Sequence, residues 1–301
     1  MTASAGSTHW NVMSRPIDAL IIAPSLPLGL WHRRLGMRGM AFGLLAAVFA
    51  AIIAIPQASS TDMPVDLELV LAVDVSRSMD MDEQALQRNG YVAAFRHKDV
   101  IEAISSGPNG RIAVTYVEWA GPAFQRTLVP WTIIDGATAA GQFADRLDQA
   151  PISREHGTSI ANGLLFVGPT FETNGIQGDR KVIDVSGDGP NNMGVPVIVA
   201  RDPLIAAGVT INGLPIMIKR PGGFASIANL DIYYEDCVIG GTGAFLVPVT
   251  DIQKLATAIR RKLVLEIAAR PVAIIKASET RPKPRIDCMI GEKLREQWMR
   301  E

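Results

Sequence analysis

Five oxygen-bearing side chains carry the chemistry this chain offers. Asp74, Ser76 and Ser78 stand at every second residue of "DVSRS", Thr158 lies in "HGTSIANG" and Asp188 in "SGDGPNN". Asp74 and Asp188 each follow an apolar run, and Ser159 after Thr158 opens a helix-like stretch. No thiol and no obvious lysine accompanies them. Two carboxylates and three hydroxyls are hard donors, which suit a hard divalent cation: Mg²⁺, or Mn²⁺ or Ca²⁺. The spacing Asp-x-Ser-x-Ser lets one turning loop aim three side chains at one point. Only two formal negative charges are offered, and Mg²⁺ keeps several waters, so such a site is left incomplete. A partner's Asp or Glu is the expected completion.

The elements that must position these residues alternate. "VDLELVLAVD" (65–74), "RIAVTYVEWA" (111–120), "RTLVPWTII" (126–134), "RKVIDVSGDG" (180–189), "VTINGLPIM" (209–217) and "AFLVPVTD" (244–251) read as strands. Helical patterns fill 81–105, 136–150, 159–171, 194–208 and 251–269. Asp80 followed by Glu83 reads as a capping box at the first helix start. Pro130 assigns 126–134 to a sheet edge. The alternation predicts an α/β fold: a doubly wound, mostly parallel six-stranded sheet with one antiparallel edge strand and helices on both faces. Ligands of such sheets bind beyond the carboxyl ends of the strands. Asp74 and Asp188 stand there.

The 301 residues, 48% of them hydrophobic, suffice for one full core and leave little room for two. A net charge of −1 gives no basic field, so nucleic acid is not an expected partner. Three arginines (Arg33, Arg34, Arg38) precede an uncharged apolar run from Met40 to Ile55, and "PQASS" follows it. This order describes a secretory signal peptide, with an uncleaved membrane anchor as the alternative. The expected start is Met37 or Met40. The expected organisation is an N-terminal extension and signal over 1–58, a domain over 60–269, and a linker with a short terminal helix over 270–301. The expected location is periplasmic or extracellular, with membrane contact only through an uncleaved anchor. Cys237 and Cys288 could pair in such a compartment, but spacing alone leaves pairing open.

In that order and on those elements, "DVSRSMD", "GTSIANGL" and "SGDGPNN" resemble the three parts of the metal-ion-dependent adhesion site of the von Willebrand factor type A domain. The resemblance spans about residues 65–269. The tail "YYEDCVIGGTGAFLVP" with "IRRKLVLEIA" further resembles an uncharacterised, exported bacterial branch of that family. The resemblance implies direct metal ligation by Ser76 and Ser78, direct or water-bridged ligation by Thr158, and water-mediated roles for Asp74 and Asp188. It implies metal-dependent protein binding and no catalysis. Two departures stand out. His156 replaces the first of two glycines before the threonine, and Gly187 replaces the threonine before the aspartate.

Other readings use the same residues. Asp74, Ser76 and Ser78 could be a helix N-cap cluster. The domain could be a scaffold whose metal site is idle. The order Asp74, His156, Ser159 is that of a subtilisin-like hydrolase, but His156 and Ser159 share one loop, whereas a triad draws its base and nucleophile from separate segments. Arg77 must point away from the serines beside it and is a candidate rim contact for an acidic partner. His97 reads as a solvated surface residue, and Trp119 and Trp131 as core or edge packing.

Overall fold

The computed structural model describes residues 63–219, 226–268 and 285–301. Residues 1–58, and residues 270–284 of the expected 270–301 segment, lie outside the described residues. A five-stranded sheet organises the rest. Its strands are β2 (Glu68–Asp74), β3 (Ile112–Trp119), β4 (Gln125–Ile134), β6 (Lys181–Gly187) and β7 (Thr210–Pro215), in the order β4-β3-β2-β6-β7. All neighbours are parallel except β4, which runs antiparallel to β3 at the edge. A separate two-stranded sheet joins β1 (Met63–Val65) to β5 (Ile176–Gly178).

The side-chain alternation of a strand explains the two cores. In β2, Leu69, Leu71 and Val73 enter one core and Val70 and Ala72 the other. The first core packs under helices α1 (Met81–Phe95), α2 (Lys98–Ser105), α3 (Ala137–Gln149) and α8 (Leu255–Ala268). The second packs under α4 (Ile160–Val167), α6 (Val197–Ala206) and α7 (Leu230–Tyr233), which runs on as a π-helical turn, Tyr234–Val238. A short α5 (Thr170–Thr173) and a terminal α9 (Ile290–Arg300) complete the described helices.

Three expectations need correction. The sixth strand does not form as a continuous element. Gly213 N donates to Phe245 O and Val247 N to Gly213 O; farther on, Val249 N donates to Pro215 O and Met217 N to Val249 O. Between these pairs a parallel ladder asks for the N–H of residue 215, and Pro215 has none, so only isolated bridges remain. Second, the helix expected over 81–105 breaks before His97. That residue is extended (φ −84°, ψ 137°) and caps α2, its Nδ1 accepting from Asp99 N at 3.2 Å. It is therefore a cap, further held by Arg260 at 2.7 Å, rather than a solvated side chain. Third, the helix expected over 159–171 is interrupted between Val167 and Thr170, which separates α4 from the short helix Thr170–Thr173, and α7 with its π-helical turn has no counterpart among the expected elements.

Candidate metal centre

Asp74 is the last residue of β2, at the carboxyl end of the sheet and wholly buried. Beyond it the chain is pinned on both sides. Val75 N donates to Trp119 O, and Glu155 N donates to Val75 O, which lays the 155–158 loop against the Ser76 backbone. Asp74 Oδ1 accepts from Ser76 N at 2.7 Å. The Ser76 and Ser78 hydroxyls are 2.7 Å apart, and Ser78 Oγ donates to Asp188 Oδ1 at 2.5 Å. Four of the five expected residues thus form one connected cluster. Arg77 between the serines is exposed, as the alternation requires.

Thr158 is held by its backbone to the loop that carries Asp188, without a hydrogen bond to the other four residues. Its N–H donates to Asn192 Oδ1 (3.1 Å) and its carbonyl accepts from Asn192 N (2.9 Å). Asn191, beside it, accepts from Ala161 N through Oδ1 (3.0 Å). These two asparagines are buried and lock the Thr158 loop to the loop that carries Asp188. They stand in the quoted "SGDGPNN", yet their side chains carry no charge or nucleophilicity to draw notice. Gly157 explains the surviving glycine of its motif. Its φ is +83°, and a Cβ there would lie 2.2 Å from Met193 Sδ.

The helix-cap reading fails on geometry. Asp80 caps α1: its carboxylate accepts from Glu83 N (2.9 Å), and Glu83 returns the contact from Asp80 N (2.8 Å). Asp74, Ser76 and Ser78 are left for other work. The hydrolase reading fares no better. Ser159 is buried, and its hydroxyl donates to Asn162 Oδ1 (2.8 Å) and accepts from Asn162 N, as the N-cap of α4.

Burial raises the two carboxylates of the cluster, as it raises Asp184 and Glu266 in the core. Burial first, and the nearby Asp188 charge second, push Asp74 well above the usual carboxylate range. Burial raises Asp188 to about 6, against the opposing Ser78 hydrogen bond and Lys219. Asp74 Oδ2 is buried without a hydrogen-bond partner among the described residues. Such an atom is costly unless something satisfies it. Lys219 donates to Ser78 O (2.9 Å) and pairs with Glu83 and Asp80, at the rim rather than in the cluster. Among the described residues no three His, Cys, Asp or Glu side chains gather in a metal-binding group. A cation held here would therefore rely on hydroxyl oxygens, and the donor set fits a hard divalent ion.

A further hydroxyl was missed by sequence reasoning. A Cβ on Gly187 would lie 2.9 Å from Asp74 Oδ2 and 3.0 Å from Tyr234 Oη. The space that a threonine would fill is taken, and the Tyr234 phenol brings an oxygen to the same place. Tyr234 lies in the quoted "YYEDC", more than forty residues from Gly187 in sequence, so only the fold could connect them.

A family model described as "Protein of unknown function (DUF1194)" matches residues 64–271. The chain belongs to the DUF1194 family. No curated protein matches it. Among solved structures, proximal thread matrix protein 1 from the mussel byssus "with zinc occupied MIDAS motif" is similar at TM-score 0.51 and 16% identity, over 69% of this chain and 49% of that one. Crystal form 2 of the same protein gives TM-score 0.50 at 16% identity and the same coverage. The pilus adhesin SpaC of Lactobacillus rhamnosus GG gives TM-score 0.51 at 12% identity, over 68% of this chain and 31% of that one. The DUF1194 chain thus spans half or less of the length of these structures. The fold is that of a von Willebrand factor type A domain.

Proposed function

We propose that this DUF1194 domain is a divalent-metal-dependent protein-binding module. Ser76 and Ser78 would hold the ion directly, Thr158 directly or through water, and Asp74 and Asp188 through waters. Bound there, Mg²⁺ or Mn²⁺ supplies an electrophilic contact for an Asp or Glu of a protein partner. The observation that carries this reading is the unpartnered, buried Asp74 Oδ2 beside a second carboxylate and two converging hydroxyls. The zinc named for the mussel protein supports a divalent ion as the class.

The chain's own residues account for the rest. Asp74 and Asp188 repel each other, so they attract positive charge. Ser76 and Ser78 turn their oxygens to the same point. Asn192 fixes the distance between the Thr158 loop and the Asp188 loop. Binding rather than catalysis is the inference, because Ser159 is occupied by Asn162 and the converging groups include no free nucleophile–base pair. Export to the periplasm or cell exterior fits the basic-then-apolar N-terminus, and the disulfide described below fits an oxidising compartment.

Calorimetric titration of Mn²⁺ into the full chain, with Asp74→Ala as control, tests the site. Binding heat in the wild type and none in the variant is expected. Equal heats in both would sink the metal reading and leave a scaffold domain. Capture of a crosslinked partner from the native compartment, lost in EDTA, tests the second step.

A further inference from the structure

The motif "YYEDC" is not absorbed by the metal site alone. It forms the end of α7 and the π-helical turn, a backbone irregularity that recurs at functional sites. Three of its side chains point to three different places. Tyr234 brings its hydroxyl beside Gly187, where a Cβ would meet both it and Asp74 Oδ2. Tyr233 Oη accepts from Asn191 N at 3.2 Å. Cys237 is bonded to Cys288, just before α9, with Cα atoms 5.4 Å apart. Arg285 adds a second staple: its backbone N–H donates to Asp236 Oδ2 (2.7 Å) and its guanidinium to Glu235 (2.6 Å).

The stapled helix α9 then reaches the same asparagine from the other side. Glu292 Oε1 accepts from Asn191 Nδ2 at 2.7 Å. Gly291 is buried against the Asn191 backbone, where a Cβ would come within 2.1 Å of the Asn191 carbonyl oxygen. Only glycine permits that approach. Asn191 is thus held by Tyr233 on its N–H and by Glu292 on its side chain. Its own Oδ1 holds Ala161 N, three residues after Thr158. A continuous path of hydrogen bonds and one covalent bond runs from the C-terminal helix to the metal-site loops.

We propose that α9, stapled by Cys237–Cys288, is a brace that sets the spacing of the Thr158 and Asp188 loops. Asn191 and Glu292 are its positioning residues. They touch no ligand of the site; they fix the groups that do. Outer partners of this kind govern metal affinity by about tenfold to hundredfold. The disulfide therefore tunes a site to which it contributes no atom. The effect on affinity rests on the metal-binding reading; the effect on loop order does not.

The test uses the full chain and two readouts. The first is Mn²⁺ affinity by calorimetry for wild type, Cys237→Ser with Cys288→Ser, Gly291→Val, Glu292→Ala and Glu292→Gln. The second is amide hydrogen exchange in EDTA. The brace predicts an affinity loss of about tenfold or more in the double serine, valine and alanine variants, with recovery in Glu292→Gln, which keeps an acceptor oxygen. It also predicts faster exchange at Asn191, Asn192 and Thr158, with β2 and β6 unchanged. If the α9 amides are released while those three amides exchange as in wild type, the brace is wrong. If the wild type gives no Mn²⁺ heat but the three amides respond as expected, the brace stands and the metal reading falls. Gly291→Val leaves both cysteines in place, so a folding failure of the serine variant does not decide the matter.

Discussion

Two kinds of buried acid lie in this molecule, and they are treated in opposite ways. Inside the first core, Glu118 at the end of β3 meets Arg88, Arg126 and Ser153. Lys262 on α8 pairs with Asp184 at 2.5 Å and with Glu266, which also accepts from Asn212 at 3.0 Å. Every one of these carboxylates has a cation from the chain itself. At the carboxyl ends of β2 and β6, Asp74 and Asp188 meet hydroxyls, backbone N–H groups and each other. Among the described residues no cation pairs with either. A hydroxyl satisfies geometry but does not neutralise charge. The contrast supports a site whose counter-charge comes from outside. Asp184, four residues from Asp188, has Lys262, and Glu68, buried without a cation, has both oxygens hydrogen-bonded, whereas Asp74 has neither a cation nor a partner for Oδ2 among the described residues.

The largest expected effect breaks the paired region. Lys262→Met leaves Asp184 and Glu266 buried without their cation, and removing one partner of a buried pair costs about 3–5 kcal/mol. Urea unfolding of the metal-free chain measures it. A loss under about 1 kcal/mol would mean that both acids are already neutral and that the two regions differ less than proposed.

Next comes pH, which sharpens the same region. Burial, then the Asp184 charge, raise Glu266 from its usual value to about 7, against the pull of Lys262 and Asn212. A folded value above the unfolded one means the folded state binds the proton more tightly. Its contribution to stability is therefore full below about pH 4.5 and is lost as pH rises towards 7. The change attributable to Glu266 is about 3 kcal/mol at most. Comparing wild type with Glu266→Gln in EDTA measures Glu266 together with its coupling to Asp184, since the Asp188 contribution is common to both chains. Parallel stability profiles would show that the shift is absent.

Much of this arrangement was legible from the sequence. β2 announced itself because a parallel strand covered on both faces reads as one apolar run, and the capping box over Asp80 and Glu83 needs only a spacing of three. Pro130 placed β4 at the edge correctly. The five candidate ligands were legible because hydroxyls and carboxylates at strand ends are chemically conspicuous. What escaped was set by approach rather than by residue type. Asn191 and Asn192 matter for where their amides reach, and Tyr234 for a space left by Gly187. The broken sixth strand was in principle readable, since Pro215 lacks the donor its neighbour needs. Pairing register had to be known first, and composition does not give it. The disulfide was open for a similar reason: distance between Cys237 and Cys288 belongs to the fold.

At the unpaired region, metal and mutation should act in opposite directions. Asp74→Asn removes a buried charge while keeping an acceptor for Ser76 N. In EDTA the variant should be as stable as wild type or more so. With Mn²⁺ at a hundredfold excess over its dissociation constant, the wild type should gain about 2.7 kcal/mol and the variant nothing. Thermal unfolding with and without metal reads both arms. Equal gains would remove the distinction between the two kinds of acid.

The smallest effect separates two acids six residues apart. Asp80 is exposed, caps its own helix start and pairs with Lys219 at 3.7 Å, with its carboxyl held below the usual range chiefly by the Glu83 N–H. Asp80→Ala should lower the melting temperature slightly and leave Mn²⁺ heat intact. Asp74→Asn should do the reverse. A helix cap and a candidate metal-site carboxylate are the same residue type here, and what distinguishes them is burial. Water already solvates Asp80, whereas Asp74 has been taken out of water with one oxygen unspent. Should Asp80→Ala abolish the Mn²⁺ heat as well, the site would extend to the helix start, and Lys219 at the rim would become part of its electrostatics.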